Sequence, residues 1–232
     1  MNAISYNPAE QKLILSSFIT KVYGWMAIAL SITALAAVFV ADTPGIREVI
    51  LGNRIVFMVL LFAELGLVIA ISAAIDRMSS MTATLLFILY SLLNGLTMSV
   101  VFLTFTASSI GTTFLVTAGT FGAMSIIGYT TKRDLTSMRN LLLMALIGMV
   151  IGSFANFFIH STAFGYVLTY LGILVFVGLI AYDTQKIKEM AAAGFDTSDA
   201  RQKGAILGAL KLYLDFINLF MLLLRLFGNR RD

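Results

Sequence analysis

The chain alternates between long apolar runs and short polar breaks, and the runs are long enough to cross a membrane. A hydrocarbon core of ~30 Å needs about 20 apolar residues in a helix. Seven runs meet that length, at 22–41, 55–75, 82–105, 110–129, 141–160, 163–183 and 204–227. No charged residue occurs between Arg77 and Lys132, a stretch that fits two spans joined at TASSIG, 106–111. None of Asp, Glu, Lys or Arg occurs between Arg139 and Asp183 either, so two further spans turn at HSTAFG, 160–165. The pattern predicts an all-α integral membrane protein. It has a short cytoplasmic N-terminal segment (1–21), a single seven-helix domain (22–228) and a short C-terminal tail (229–232). The loop near MAAAGFDTSDARQK, 190–203, is the longest, so no sizeable extramembrane domain is expected.

Composition sharpens this picture. Of 232 residues, 59% are hydrophobic and 12% charged, against about 25% charged in soluble domains. With no cysteine and one histidine, His160, the chain has no disulfide, no thiol chemistry and no His-rich metal cluster. The N-terminus carries Pro8 and Glu10 before its first apolar run, which does not read as a cleavable signal peptide.

Lys and Arg set the expected orientation, because they concentrate in cytoplasmic loops rather than marking nucleic-acid binding in such a chain. Ten lie on the side of the N-terminus and five on the other side, with Lys211 inside the last span. The N-terminus is therefore expected in the cytoplasm and the C-terminus outside. The basic tail Arg230–Arg231 argues the other way, and a re-entrant last segment is the alternative. GMVIG, 148–152, and GAILG, 204–208, are small-xxx-small patterns that predict close helix packing.

Polar residues inside the spans are the candidates for chemistry, since a central charge costs roughly 2.5–3.5 kcal/mol even on the insertion scale. In KLYLDFINLFMLLLRLF, 211–227, four of them break the last run. At about 100° per residue, Asp215, Asn218 and Arg225 fall roughly 40°, −20° and −40° from Lys211, on one narrow stripe. That stripe is expected to face protein or trapped water. Glu64 lies mid-span in LLFAELGLV and Asp183 ends the sixth run in GLIAYDTQKIK. Asp183 reads either as a helix-end residue in the headgroup region or as the partner of Asp215. Glu64 reads either as a site acid or as a neutral packing acid.

If the sixth helix continues through the amphiphilic KIKEM stretch to about residue 192 and the seventh runs back from about 203, Asp183 and Asp215 lie nearly level in the hairpin. Two carboxylates facing each other in a low dielectric cannot both ionise cheaply, so the pair is expected to share one proton. Such a pair suits a pH sensor, a cation site or an acid–base dyad. Arg77, in AIDRMSS, either reaches into the bundle by its long stem or snorkels to the interface. Lys211, one turn before Asp215, is a neutralising cation. Asn94, Thr97 and Asn156 read best as interhelical packing groups, and Tyr90, Tyr129, Tyr166 and Trp25 as interface-belt residues.

An intramembrane aspartyl protease would need its second aspartate in a Gly-x-Gly-Asp turn and a downstream Pro-Ala-Leu. Here that acid sits in LYLD, and the only prolines are Pro8 and Pro44. The chain is thus not expected to be an enzyme.

GYTTKRDLTSMRNLLLMALIGMVIGSFANFF, GILVFVGLIAYDTQKIK and LKLYLDFINLFMLLLRLFG resemble the transmembrane Bax inhibitor motif (Bax inhibitor-one) family, the bacterial branch most closely. The resemblance runs from about residue 20 to residue 228. It implies a last helix enclosed by the other six, in the bacterial inner membrane, and a calcium leak that depends on pH. It gives Asp183 and Asp215 the role of the proton-sensing pair and Arg77 that of a latch. Glu64 becomes an acid on the second helix, with Lys211 and Asn218 supporting the site. It implies no cofactor, with calcium as the permeant ion, the lipid bilayer as surroundings and no nucleic acid. Some bacterial relatives instead modulate a membrane-bound AAA protease, and eukaryotic ones suppress cell death. A non-catalytic interaction protein is therefore the alternative reading. Nothing in the sequence requires more than a monomer.

Overall fold

The computed structural model describes residues 8–231, with side chains from residue 13 onward. The described chain is helical almost throughout: α1 Pro8–Asp42, α2 Pro44–Arg47, α3 Arg54–Ala74, α4 Ser80–Thr104, α5 Ala107–Thr130, α6 Thr136–Ile159, α7 Thr162–Ala193 and α8 Ser198–Phe227. Seven of these are long and apolar enough to span a membrane. The protein is an all-α integral membrane protein, and every expected span corresponds to one helix.

The differences lie at the ends. The first span was expected from residue 22, but α1 begins at Pro8, so most of the expected N-terminal segment is helix. Residues 1–7 of that segment and residue 232 of the tail lie outside the described residues. The α7 helix continues to Ala193, as the KIKEM stretch predicts, but α8 starts at Ser198, ahead of its expected start, leaving a turn closed by Gly194 at φ 82°. These extensions carry charged residues, which end an apolar run without ending a helix. Between α1 and α3 the chain forms α2 and a π-helical turn, Glu48–Gly52, in place of a plain loop. Asn53 then caps α3, its side-chain oxygen accepting from the Ile55 and Val56 amides at 3.0 and 3.3 Å.

The chain forms two compact units, one made of residues up to Val100 with Lys186–Tyr213, the other of Val101–Gln185 with residues from Leu214 on. In the first, Phe18, Val22, Phe87, Ile206, Leu210 and Tyr213 are fully buried or nearly so. A Cβ on Gly95 of α4 would lie 2.6 Å from the Thr33 carbonyl oxygen, so α1 and α4 touch backbone to backbone there. Both glycines of GAILG are used: Gly204 lies against Phe195 and Met190, and Gly208 against Ile187. Asp199 accepts from the Ser80 amide at 2.9 Å, closing the first turn of α4.

In the second unit α5 and α7 touch backbone to backbone at Gly128, where a Cβ would collide with the Ala181 carbonyl. Gly152 of GMVIG packs on Leu168, whereas Gly148 faces open space. The α6 helix exposes Met144, Val150, Phe154 and Phe158, as a lipid-facing surface requires. After α8 the tail clasps the α4–α5 turn: the Thr106 amide donates to the Asn229 carbonyl at 3.0 Å, and that of Arg231 to Thr104 at 2.9 Å.

The α8 helix is the most buried of the spans, with 61% of its most apolar stretch buried against 44% for α4 and α7. It runs unbroken for 30 residues, about 45 Å, without the turn a re-entrant segment needs.

Candidate functional site

The acids of the last two helices belong to the second unit. Asp215 is 5% exposed on α8, and Asp183 is half-buried on α7. The α7 helix continues ten residues past Asp183 to Ala193, so Asp183 is not a helix-end residue. Neighbouring side chains fix the depth of each acid against α5. Phe216, next to Asp215, stacks edge-on to Phe121 at 5.6 Å, and Thr184, next to Asp183, donates to the Ser125 hydroxyl at 3.5 Å. Phe121 and Ser125 are one α5 turn apart, about 6 Å along the axis.

The α7–α8 contact gives the same answer independently. A Cβ on Gly172 would lie 2.8 Å from Leu222, which brings Gly172 level with Leu222. Counting antiparallel from there places Asp215 level with Leu179, one turn from Asp183. The two acids were expected nearly level; they are offset by about one turn. The pairing is set by packing at Gly172 rather than by counting from the turn.

The polar stripe of α8 divides. Asp215 is buried, whereas Lys211, Asn218 and Arg225, recurring every seven residues, are exposed. The expectation of a stripe hidden as a whole is corrected: Asp215 lies about 40° to one side of Lys211, and Asn218 and Arg225 drift to the other. That angle carries Asp215 across the edge of burial, toward the side of Leu212, Phe216 and Leu219. Arg77 ends a 3-10 turn, Ile75–Arg77, after α3 and is exposed. It therefore does not reach into the interior of its own unit.

Glu64 sits at the end of a buried polar chain in the first unit. It is 8% exposed, and its two oxygens accept from Asn94 Nδ2 at 2.9 Å and Thr97 Oγ1 at 2.8 Å. Asn94 Oδ1 accepts from the Tyr213 hydroxyl at 2.9 Å, and that hydroxyl lies 2.7 Å from Thr33 Oγ1. Thr33 also reaches the Ser91 carbonyl at 2.9 Å. Four helices thus meet in one network with every member partnered, the condition under which buried polar groups hold a unique packing. Of these residues, sequence reasoning missed Thr33 and Tyr213. Tyr90, expected at an interface belt, is buried with its ring 5.6 Å from that of Tyr213. The available signal was the demand of Glu64 and Asn94 for partners, which only hydroxyls in neighbouring spans could meet. Tyr129 and Tyr166 are exposed, as a belt residue should be, and Trp25 is half-buried.

No cluster of three or more acidic or imidazole groups among the described residues could hold a metal ion. Two carboxylates fall far short of the six to eight oxygens a tight calcium site requires.

Comparison with known proteins agrees with this architecture. The family profile described as Inhibitor of apoptosis-promoting Bax1 matches residues 15–232. The chain is 52% identical over 219 residues to the inner membrane protein YbhL of Escherichia coli, covering 94% of this chain and 93% of that one. It is 44% identical to an uncharacterized protein of Borreliella burgdorferi, over 96% of each chain. A third relative, protein RP147 of Rickettsia prowazekii, is 42% identical over 94% of this chain and 92% of its own. With seven spanning helices and the family profile matched over nearly its whole length, the chain belongs to the Bax inhibitor-1 family of membrane proteins.

Proposed function

We propose that this protein is a pH-dependent leak channel for calcium or similar cations, lying in the bacterial inner membrane with its N-terminus in the cytoplasm. The observation that carries this reading is the pair Asp183 and Asp215, on adjacent helices and about one helical turn apart in depth. No charged residue lies in α5, or between Arg139 of α6 and Asp183 of α7. Intramembrane acids of this kind are expensive and mark ion or proton paths.

In the proposed mechanism the pair shares one proton. Its charge changes by one unit as that proton leaves or binds. The remaining carboxylate attracts a cation, and the small oxygen count favours transit over storage. Arg77 carries the latch role that the family resemblance implies. No covalent bond is made or broken, and no cofactor takes part. The location rests on the E. coli relative, an inner membrane protein by name. The orientation rests on the distribution of Lys and Arg.

The test is calcium flux into vesicles of pure lipid containing only this chain, followed with a calcium dye at several pH values. Flux that exceeds protein-free vesicles and changes with pH supports the channel. No flux, together with co-purification of a membrane-bound AAA protease, would replace it with the interaction reading.

A further inference from the structure

We propose that the second unit holds a binding site for the phosphodiester of an anionic membrane lipid, formed by Arg225, Arg230, His160 and Asn156 in a cavity where α6, α7 and α8 end. The cavity has a volume of about 330 Å³, and Ser161 and Tyr166 also line it. None of its described lining residues is acidic. Neither arginine side chain makes a hydrogen bond or ion pair with a described residue, although the cavity is open enough to hold both.

Three further features make this a built site. The Oδ1 atom of Asn156 is buried and without a hydrogen-bond partner, which is costly unless a ligand or water satisfies it. Gly165 of α7 leaves the space the guanidinium occupies: a Cβ there would lie 2.8 Å from Arg225 Nη2 and 3.3 Å from Asn156 Nδ2. Arg230 is pinned from behind, its backbone bridged to Phe105 while the Asn229 amide donates to the Ser109 hydroxyl at 2.9 Å. Two arginines held beside an amide and hydroxyls supply the forked donors that phosphate oxygens take up. The buried Asn156 acceptor fits a hydroxyl on the same headgroup, as in a glycerol head.

The position favours a lipid as the source. Ile159 ends α6, Thr162 begins α7 and Phe227 ends α8, so the cavity lies at the ends of spanning helices. Phe157, Phe158, Ile159 and Val167, beside it in sequence, are all exposed, giving acyl chains an apolar wall below the headgroup.

The test uses the full chain in nanodiscs of phosphatidylcholine doped with phosphatidylglycerol. Native mass spectrometry after release would count retained lipid. The wild type should retain phosphatidylglycerol in preference to phosphatidylcholine. Arg225→Gln with Arg230→Gln should weaken retention by at least about tenfold, the loss of one charge-assisted bond or more. Gly165→Ala keeps both charges and crowds only the side-chain ends of Arg225 and Asn156, not backbone, so it should weaken retention while folding normally. If the double variant does not fold, Gly165→Ala alone decides. Equal retention of the two lipids, or no loss in either variant, overturns the proposal. So does thermal protection by millimolar inorganic phosphate without lipid preference, which would assign the cavity to free phosphate.

Discussion

The hydroxyl of Tyr213 donates to Asn94 Oδ1 at 2.9 Å, and the same amide donates from Nδ2 to Glu64 at 2.9 Å. One asparagine thereby orients an acid on α3 and a phenol on α8, and each depends on the other for its geometry. A lone buried carboxyl would be free to take several rotamers. Glu64 is not, since Thr97 fixes its second oxygen at 2.8 Å.

Replacing Glu64 tests whether the network needs shape or charge. In Glu64→Gln the new amide would donate to Thr97 Oγ1, which would turn its own proton to the Asn94 carbonyl, 3.0 Å away in the native protein. The network stays satisfied, and the thermal midpoint should move little. Glu64→Leu orphans the Asn94 side-chain N–H and leaves Thr97 only the Asn94 carbonyl, at about 1–3 kcal/mol in soluble proteins and nearer ~0.6 kcal/mol per bond in membranes. Thermal unfolding in detergent should rank the wild type and Gln variant together, with Leu lower. A Gln variant as unstable as Leu would mean that the charge itself is required.

Gly128 and Gly148 make a matched pair on neighbouring helices. Alanine at Gly128 would drive a Cβ onto the Ala181 backbone, with 2.9 Å to its carbonyl carbon and Cα and less to the oxygen. Backbone cannot swing aside, so α5 and α7 must separate, at more than the roughly 1–3 kcal/mol of ordinary overpacking. Alanine at Gly148 meets nothing within 4 Å and should raise helix stability by roughly 0.5–1 kcal/mol. Comparing folded yield and thermal midpoint of the two variants checks this. A well-folded Gly128→Ala protein would show that the α5–α7 contact is not tight.

What the sequence reveals and conceals follows from the kind of signal each residue gives. Apolar length alone placed seven spans, because lipid demands it of each. Apolar length stops at Asp183, and it was the amphiphilic KIKEM stretch, not apolar length, that carried α7 on to about residue 192, close to its end at Ala193. Angles along α8 put Asp215 and Lys211 on one stripe, but 40° is enough to divide a buried residue from an exposed one. Tyr213 and Thr33 were invisible because hydroxyls in an apolar run look like packing. Their role depends on Asn94 and Glu64, which come from other helices. The depth of Asp183 and Asp215 was nearly legible, and the residual turn came from Gly172 against Leu222.

The course of α8 bears on the side on which the chain ends. With α8 unbroken for 30 residues and seven candidate spans, the proposed topology has its termini on opposite sides. The proposed orientation, with the N-terminal side in the cytoplasm, rests on the excess of Lys and Arg there. A C-terminal reporter active only in the cytoplasm should be silent, and one active only outside should report. Strong cytoplasmic signal from the first would reverse the orientation.

Arg77 is exposed at the end of its 3-10 turn, so its removal should not damage packing. If it carries the latch role, Arg77→Ala should leave the thermal midpoint near wild type while raising resting calcium leak and flattening its pH response. An unchanged pH profile would leave Arg77 as an interfacial anchor.

The aspartate pair is the most direct test of the proposed mechanism. A shared proton exists only while two carboxylates compete for it, so either single amide variant destroys the arrangement. Asp183→Asn and Asp215→Asn keep the volume of each side chain, and the packing of Phe216 on Phe121 and Thr184 on Ser125 needs neither charge. Both variants should therefore fold. In vesicles followed between about pH 5 and 8, the range in which a proton switch must act to be physiological, each should lose the step seen in the wild type. The residual flux separates the two roles. If the remaining carboxylate still attracts calcium, a single variant conducts at a level that no longer follows pH, and the double Asn variant conducts least. Should both single variants keep the wild-type midpoint and amplitude, the acids one turn apart on α7 and α8 serve the fold alone, and proton gating has to be sought elsewhere.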